Sequence, residues 1–177
     1  MIFLDEASSL LNKIKRIDYV LKLEECFKKV IIYFNEEHMF ICPHQPVLNE
    51  AGEFQNFLDD GPVLELKRNI TIEELQNAIF ETLEKSNLYI LSQRPKRLGI
   101  ERHLKVRSYK AATKDKSLIS LGYSPDESIE YRIIAYRKEN SLVYLKEKEL
   151  LIKQEDAMQD NQLAKTVIEF MELLRNK

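Results

Sequence analysis

Two short apolar runs, Val30-Ile31-Ile32-Tyr33-Phe34 and His38-Met39-Phe40-Ile41-Cys42, stand on either side of the polar triplet Asn35-Glu36-Glu37. β-Branched and aromatic residues fit a pleated strand, and two such runs joined by a short polar turn predict a hairpin. Neither run alternates apolar with polar residues. A strand with no polar face has to be covered on both sides, which commits the chain to layers of helix over sheet.

The rest of the sequence supplies the other parts of that architecture. Pro62-Val63-Leu64-Glu65-Leu66 alternates as a strand does, with proline at its tolerated first position. Leu118 to Tyr123 sets Ile119, Leu121 and Tyr123 on one face, and Ile129, Tyr131, Ile133 and Ala135 alternate with Glu130, Arg132, Ile134 and Tyr136. Leu142-Val143-Tyr144-Leu145 follows the polar turn Lys138-Glu139-Asn140, and Leu150-Leu151-Ile152 adds an edge. Short strands separated by tight polar turns make an antiparallel meander. Thr71-Ile72-Glu73-Glu74 is a capping box that starts a helix carrying Leu75, Ala78, Ile79 and Leu83 to about Ser86. A second amphipathic helix begins near Asp160 with Leu163, Val167, Phe170, Met171 and Leu174 on its apolar stripe. These two helices match at an offset of 88 residues, Leu75 with Leu163 and Ile79 with Val167, the pattern of a degenerate duplication. Residues 1–29 read as a helical N-terminal segment in one or two pieces, with Leu10, Leu11 and Ile14 on one face and Leu23, Cys26 and Phe27 on another. Between Pro43 and Gly61 the composition turns polar and acidic, which predicts a long surface loop. The expected fold is a single α/β (α+β) domain over residues 1–177, a mainly antiparallel twisted sheet packed against two or more amphipathic helices.

Function is narrowed first by exclusion. The net charge is -2, so no global field drives binding to nucleic acid or to a membrane surface. No apolar run reaches the roughly 18 residues of a membrane span. Acids follow three apolar residues in Met1-Ile2-Phe3-Leu4-Asp5-Glu6, unlike an export signal, and two cysteines make no disulfide framework, so a cytoplasmic location is expected. The four glycines are isolated and none opens a phosphate-cradling turn. His38, Cys42 and His44 share one side of a strand and form the sharpest metal candidate, but same-side neighbours on a strand stand nearly 7 Å apart and Pro43 interrupts the run. Cys42 beside His44 suggests a nucleophile and base, whereas a thiol in an apolar run ordinarily packs. No cofactor is expected.

Two surface features remain. Arg94, Lys96, Arg97, Arg102, Lys105, Arg107 and Lys110 crowd a segment whose only acid is Glu101, a pattern that can track a phosphate backbone. Acids also gather beside tyrosines in Tyr123, Asp126, Glu127, Glu130 and Tyr131, with Asp59 and Asp60 in the acidic loop. Tyrosines ringed by carboxylates suit a basic protein partner, because complementary charge speeds encounter and tyrosine buries area at low entropic cost.

Three stretches resemble the immunity proteins of contact-dependent growth inhibition systems. They are the hairpin at 30–42 leading to Pro62-Val63-Leu64 and the helix Glu73-Glu74-Leu75 through Ser86; Val106-Arg107-Ser108-Tyr109-Lys110 before Leu118-Ile119-Ser120-Leu121; and Gln162-Leu163 through Met171-Glu172-Leu173. The resemblance implies a cytoplasmic, non-catalytic α/β protein that binds and blocks a cognate toxin domain, the C-terminal part of a large exported effector and often a nuclease. It carries over no binding residue. Two alternatives stand beside it: a nucleic-acid-binding or regulatory module using residues 94–110, and a small hydrolase centred on Cys42 and His44.

Overall fold

A computed structural model of the chain describes residues 28–51, 53–124, 130–140 and 143–175. The hairpin forms as predicted. β1 (Lys28–Phe34) and β2 (His38–Leu48) pair antiparallel with Ile32 opposite Ile41. Asn35 closes the turn, its Oδ1 accepting from the backbone N–H of Glu37 at 3.0 Å and of His38 at 2.9 Å. β3 (Phe54–Asp59) and β4 (Leu64–Lys67) both pair antiparallel with β2, Asp59 opposite His44 and Leu64 opposite Ile41. They run one after the other along the same edge, interrupted at 60–63, where Gly61 takes a φ of 127°. β5 (Ser117–Ser124), β6 (Glu130–Lys138) and β7 (Tyr144–Lys153) form the meander, and β5 pairs with β1. The result is one seven-stranded antiparallel sheet in the order β3-β2-β1-β5-β6-β7, with β4 also on β2.

α1 (Ile72–Glu84) and α5 (Gln162–Arg175) cover one face. The capping box is present in full: Thr71 Oγ1 accepts from the Glu74 N–H at 3.2 Å, and Glu74 Oε2 accepts from the Thr71 N–H at 2.8 Å. Both helices bury the residues their spacing selected, and Val30, Ile32, Ile119, Leu121 and Ile133 meet them from the sheet. The two helices are joined by one buried amide. Gln76 donates to the carbonyl of Ala157 and accepts from the N–H of Ala164, each at 2.9 Å. Gln76 and Ala164 are themselves 88 residues apart. The strand order is compatible with the expected repeat: β1, β2 and the β3/β4 edge precede α1, and β5, β6 and β7 precede α5, with β1 and β5 at the seam.

The segment between the halves covers the opposite face. α2 (Gly99–His103) and α3 (Tyr109–Ala112), with Ser108 Oγ accepting from the Ala111 N–H, lie over Ile31, Tyr33, Phe40, Cys42 and Leu118. The central strands are thus covered on both sides, as their unbroken hydrophobicity requires.

Three expectations need correction. Residues 43–61 are not a surface loop, because β2 continues to Leu48 and is buried from Met39 onward, and β3 follows it. Pro43 and Pro46 sit in this strand through their carbonyls, which accept from the N–H of Asp60 and of Leu91. Beyond Pro43 the β1 pairing ends, and the residues after α1 flank β2 instead, with Asn87 N–H donating to the His44 carbonyl and Leu48 N–H to the Leu91 carbonyl. Tyr144-Leu145 and Leu150-Leu151-Ile152 belong to a single strand, β7, whose charged middle is tolerated because it lies at the sheet edge. Lys28 and Lys29 begin β1 and do not end a helix; the rest of the N-terminal prediction lies outside the described residues. A short helix, α4 (Gln154–Met158), precedes α5 and was not anticipated.

Candidate functional site

The sequence-selected acids separate into two groups. Asp59 and Asp60 are buried, at 3% and 7% exposure, and their carboxyl groups are engaged inside the molecule. Both Asp59 carboxylate oxygens lie 3.3 Å from the Ile100 N–H at the start of α2. Burial pushes the Asp59 carboxyl up to about 7, against the opposing pull of the Ile100 N–H and the Arg102 guanidinium. Its fit against α2 is close, since a Cβ on Gly99 would come within 2.4 Å of Asp59 Oδ1. Asp60 accepts from the Tyr89 hydroxyl at 2.8 Å and pairs with Arg102. These two acids fasten the covering layer to the β2–β3 edge.

His44 stands opposite Asp59 in the β2–β3 ladder. It is 7% exposed, and neither ring nitrogen has a hydrogen-bond partner among the described residues. Burial first, then the nearby Lys29 ammonium, drives its pKa down to about 3. A neutral imidazole and a carboxyl that holds its proton to about 7 therefore occupy opposed positions of the β2–β3 ladder.

Of the second group, Tyr123, Glu130 and Tyr131 come together. Tyr123 and Tyr131 are opposite each other on β5 and β6, their ring centroids 4.8 Å apart, and Glu130 follows opposite Ser124. Tyr131 packs edge-on against Phe80, and burial pushes its phenol up to about 12. Tyr123 keeps its hydroxyl near the surface, 3.3 Å from Gln154 Oε1. Beside them a cleft of about 580 Å³ is bounded by Glu130, Leu151, Lys153, Asp156 and Asp160. Asp126 and Glu127 lie outside the described residues. The tyrosines sit on the α1/α5 face and Asp59 on the other, with Tyr123 three and Tyr131 four strand spacings away, roughly 14 and 19 Å. The two groups do not form one patch.

The other candidates are dispersed. His38 Nε2 is 3.8 Å from Glu65 Oε1, and His103 Nε2 is 2.8 Å from Glu65 Oε2. The Cys42 thiol is buried, directs its proton toward the Phe40 carbonyl, and is held well above the ordinary thiol range by burial. Among the described residues no three His, Cys, Asp or Glu side chains are grouped to hold a metal ion. In the basic segment Arg102 is turned toward Asp60, and Glu101 is buried with its Oε2 on the Leu98 N–H at 2.6 Å. Arg94, Lys96, Arg97, Lys105, Arg107 and Lys110 are left exposed. Sequence reasoning placed an edge at Leu150-Leu151-Ile152 but missed that it continues through 146–149; along it Leu145, Leu150 and Leu151 are 38%, 38% and 51% exposed. The alternating Lys-Glu run at 146–149 was the signal for a strand there.

No protein-family model matches the sequence, and no curated protein matches it. Solved structures do match the fold. A protein of unknown function from Neisseria meningitidis aligns with a TM-score of 0.55 at 9% identity, over 82% of this chain and 93% of that one. A chain of the CdiA-CT/CdiI toxin and immunity complex from Yersinia pseudotuberculosis aligns with a TM-score of 0.56 at 10% identity, over 81% of this chain and 97% of that one. At these identities the likeness is one of fold. No helix among the described residues is long and apolar enough to cross a membrane.

Proposed function

We propose that this chain is an immunity protein of the contact-dependent growth inhibition type, which binds a cognate toxin domain in the cytoplasm and neutralises it by stoichiometric occlusion, without catalysis or cofactor. The observation that carries the reading is the fold likeness to a chain of a toxin and immunity complex along nearly all of that chain's length. The buried, proton-retaining Cys42 also weighs against the hydrolase reading. Occlusion needs an interface of standard size, about 1,200–2,000 Å². The contact surface we propose comprises Tyr123, Asp126, Glu127, Glu130 and Tyr131 with the adjoining cleft, a reading supported by the paired tyrosine rings next to Glu130. Asp59 and Asp60 serve that surface only indirectly, by holding the scaffold. A toxin with a basic substrate groove would meet the carboxylates in place of phosphate.

The test is co-expression with the toxin domain of a neighbouring large exported effector, followed by pull-down and growth assay. The folded chain should rescue growth and co-purify in a fixed ratio. Replacing Asp126, Glu127 and Glu130 with Lys should slow association at low salt; an unchanged rate would remove this surface from the interface, and failure to rescue would remove the function.

The exposed cations of 94–110 support a second reading, a nucleic-acid-binding module. Neutralising phosphates releases counterions, so affinity for duplex RNA or DNA should then fall steeply with salt. A flat response excludes it.

A further inference from the structure

The outer edge of β7 has no strand beside it among the described residues, and its sequence is complementary to itself when reversed. Leu145-Lys146-Glu147-Lys148-Glu149-Leu150 read antiparallel to a second copy sets Leu145 on Leu150, Lys146 on Glu149 and Glu147 on Lys148. Tyr144 then meets Leu151. Because the arrangement is two-fold, every one of these pairs occurs twice. We propose that β7 is a homodimerisation edge, pairing antiparallel with β7 of a second copy of this chain about an axis between Glu147 and Lys148. The inference does not depend on the immunity reading.

In a regular strand this register is forbidden. Directly opposed residues must point to the same side of a sheet, and neighbours such as Glu147 and Lys148 point to opposite sides. The registers a regular strand allows would oppose Lys146 to Lys148 or Glu147 to Glu149, like charge on like. β7 is not regular there. Ala135 is opposite Lys148 while Tyr136 is opposite Lys146, so Glu147 is an extra residue and the alternation shifts by one.

The side-chain contacts agree with that shift. The Lys148 ammonium lies 5.1 Å from the Phe170 ring centroid, on the α5 face. Glu147 bonds Arg137, which lies on that same face as the neighbour of Tyr136 of the other core. Lys146 pairs with Glu149 at 2.7 Å, and Glu149 with Arg132 at 3.0 Å, on the opposite face together with Tyr144. With the bulge included, all four cross-dimer pairs fall on matching faces. The exposed Leu145, Leu150 and Leu151 supply the apolar contact, and the alternating charges repel a second copy offset by one residue. An edge built in this way accepts one partner in one register and rejects indiscriminate pairing.

The experiment is sedimentation velocity and light scattering on the full chain, with circular dichroism to confirm that each variant is folded. Wild type should show the mass of two chains in a concentration-dependent equilibrium. Lys146→Glu places like charges across both symmetry-related pairs, as does Glu149→Lys, and each should weaken the dimer on the order of 10- to 100-fold. Mixing the two single variants restores opposite charges at both sites, so the equimolar mixture should form a heterodimer that neither variant forms alone. A loss caused by misfolding cannot be recovered in this way. A wild type that is monomeric at its highest soluble concentration would overturn the proposal, and so would a mixture that stays monomeric. A dimer undiminished by both reversals would place the interface elsewhere and overturn it equally.

Discussion

Removing either member of the His44–Asp59 pair should expose a pH dependence that the wild type conceals. An Asp59 carboxyl held to about 7 in the folded chain, against 3.8 in its absence, binds its proton more tightly when folded. Its stabilisation is fully present below pH 3.8 and is lost as pH rises through about 7. At about 1.4 kcal/mol per pH unit the loss is on the order of 4 kcal/mol. His44 acts in the opposite sense. Its pKa falls from 6.5 to about 3 on folding, so its contribution is present above 6.5 and is lost as pH falls through about 3, on the order of 5 kcal/mol. Across the overlap, between the unfolded value of Asp59 and that of His44, the slopes cancel. Asp59→Asn keeps an oxygen for the Ile100 N–H and removes one slope, so stability should climb with pH, by about 1.4 kcal/mol per unit, until His44 is neutral in the unfolded chain. His44→Phe should produce the mirror image, a decline until Asp59 ionises. Urea denaturation at four pH values across this range reads both. Two variants whose midpoints move in parallel with the wild type at every pH would refute the burial of these groups.

Other consequences concern single contacts. Gly99→Ala forces a methyl against Asp59 Oδ1 and the Gly61 carbonyl, so α2 should be displaced at a cost of about 1–3 kcal/mol, seen as lost amide protection over 98–104. Thr71→Ala removes the side-chain half of the capping box and leaves the backbone N–H of residue 71 to Glu74, and it should lower stability by about 1 kcal/mol in urea titration. Cys42 should resist iodoacetamide in the folded chain and react once unfolded, because its thiol is buried and keeps its proton.

Local pattern made much of this fold legible. The Thr71–Glu74 box and the stripes at Leu75–Leu83 and Leu163–Leu174 are written within a few residues, and helices obey such short-range rules. The hairpin was readable because Asn35-Glu36-Glu37 separates two runs with no polar face. Residues 43–61 were not readable, because His44, Gln45, Asp59 and Asp60 acquire partners only when residues distant in sequence arrive. Gln45 donates to the Lys85 carbonyl at 2.8 Å, and Asp59 meets α2 across an interval of 41 residues. Taken singly these side chains look like a solvated loop. The same blindness misplaced the acids: Asp59 and Glu130 are equally charged on paper, yet one is capped by Ile100 and the other borders an open cleft. β7 looked like two fragments because its middle is charged, and only its place at the margin of the sheet explains the Lys-Glu run.

The seam between β1 and β5 also sets an order of events during synthesis. β1 emerges with one flank soon matched by β2, while its other flank waits for Ser117–Tyr123, with Val30 paired to Leu121 and Phe34 to Ser117. A nascent chain ending anywhere before that stretch carries a bare apolar strand at the centre of its future sheet. Closing the sheet then waits on the emergence of Ser117–Tyr123, and a ribosome stalled in the linking segment would release a half with an unpaired apolar strand, competent to aggregate and not to work.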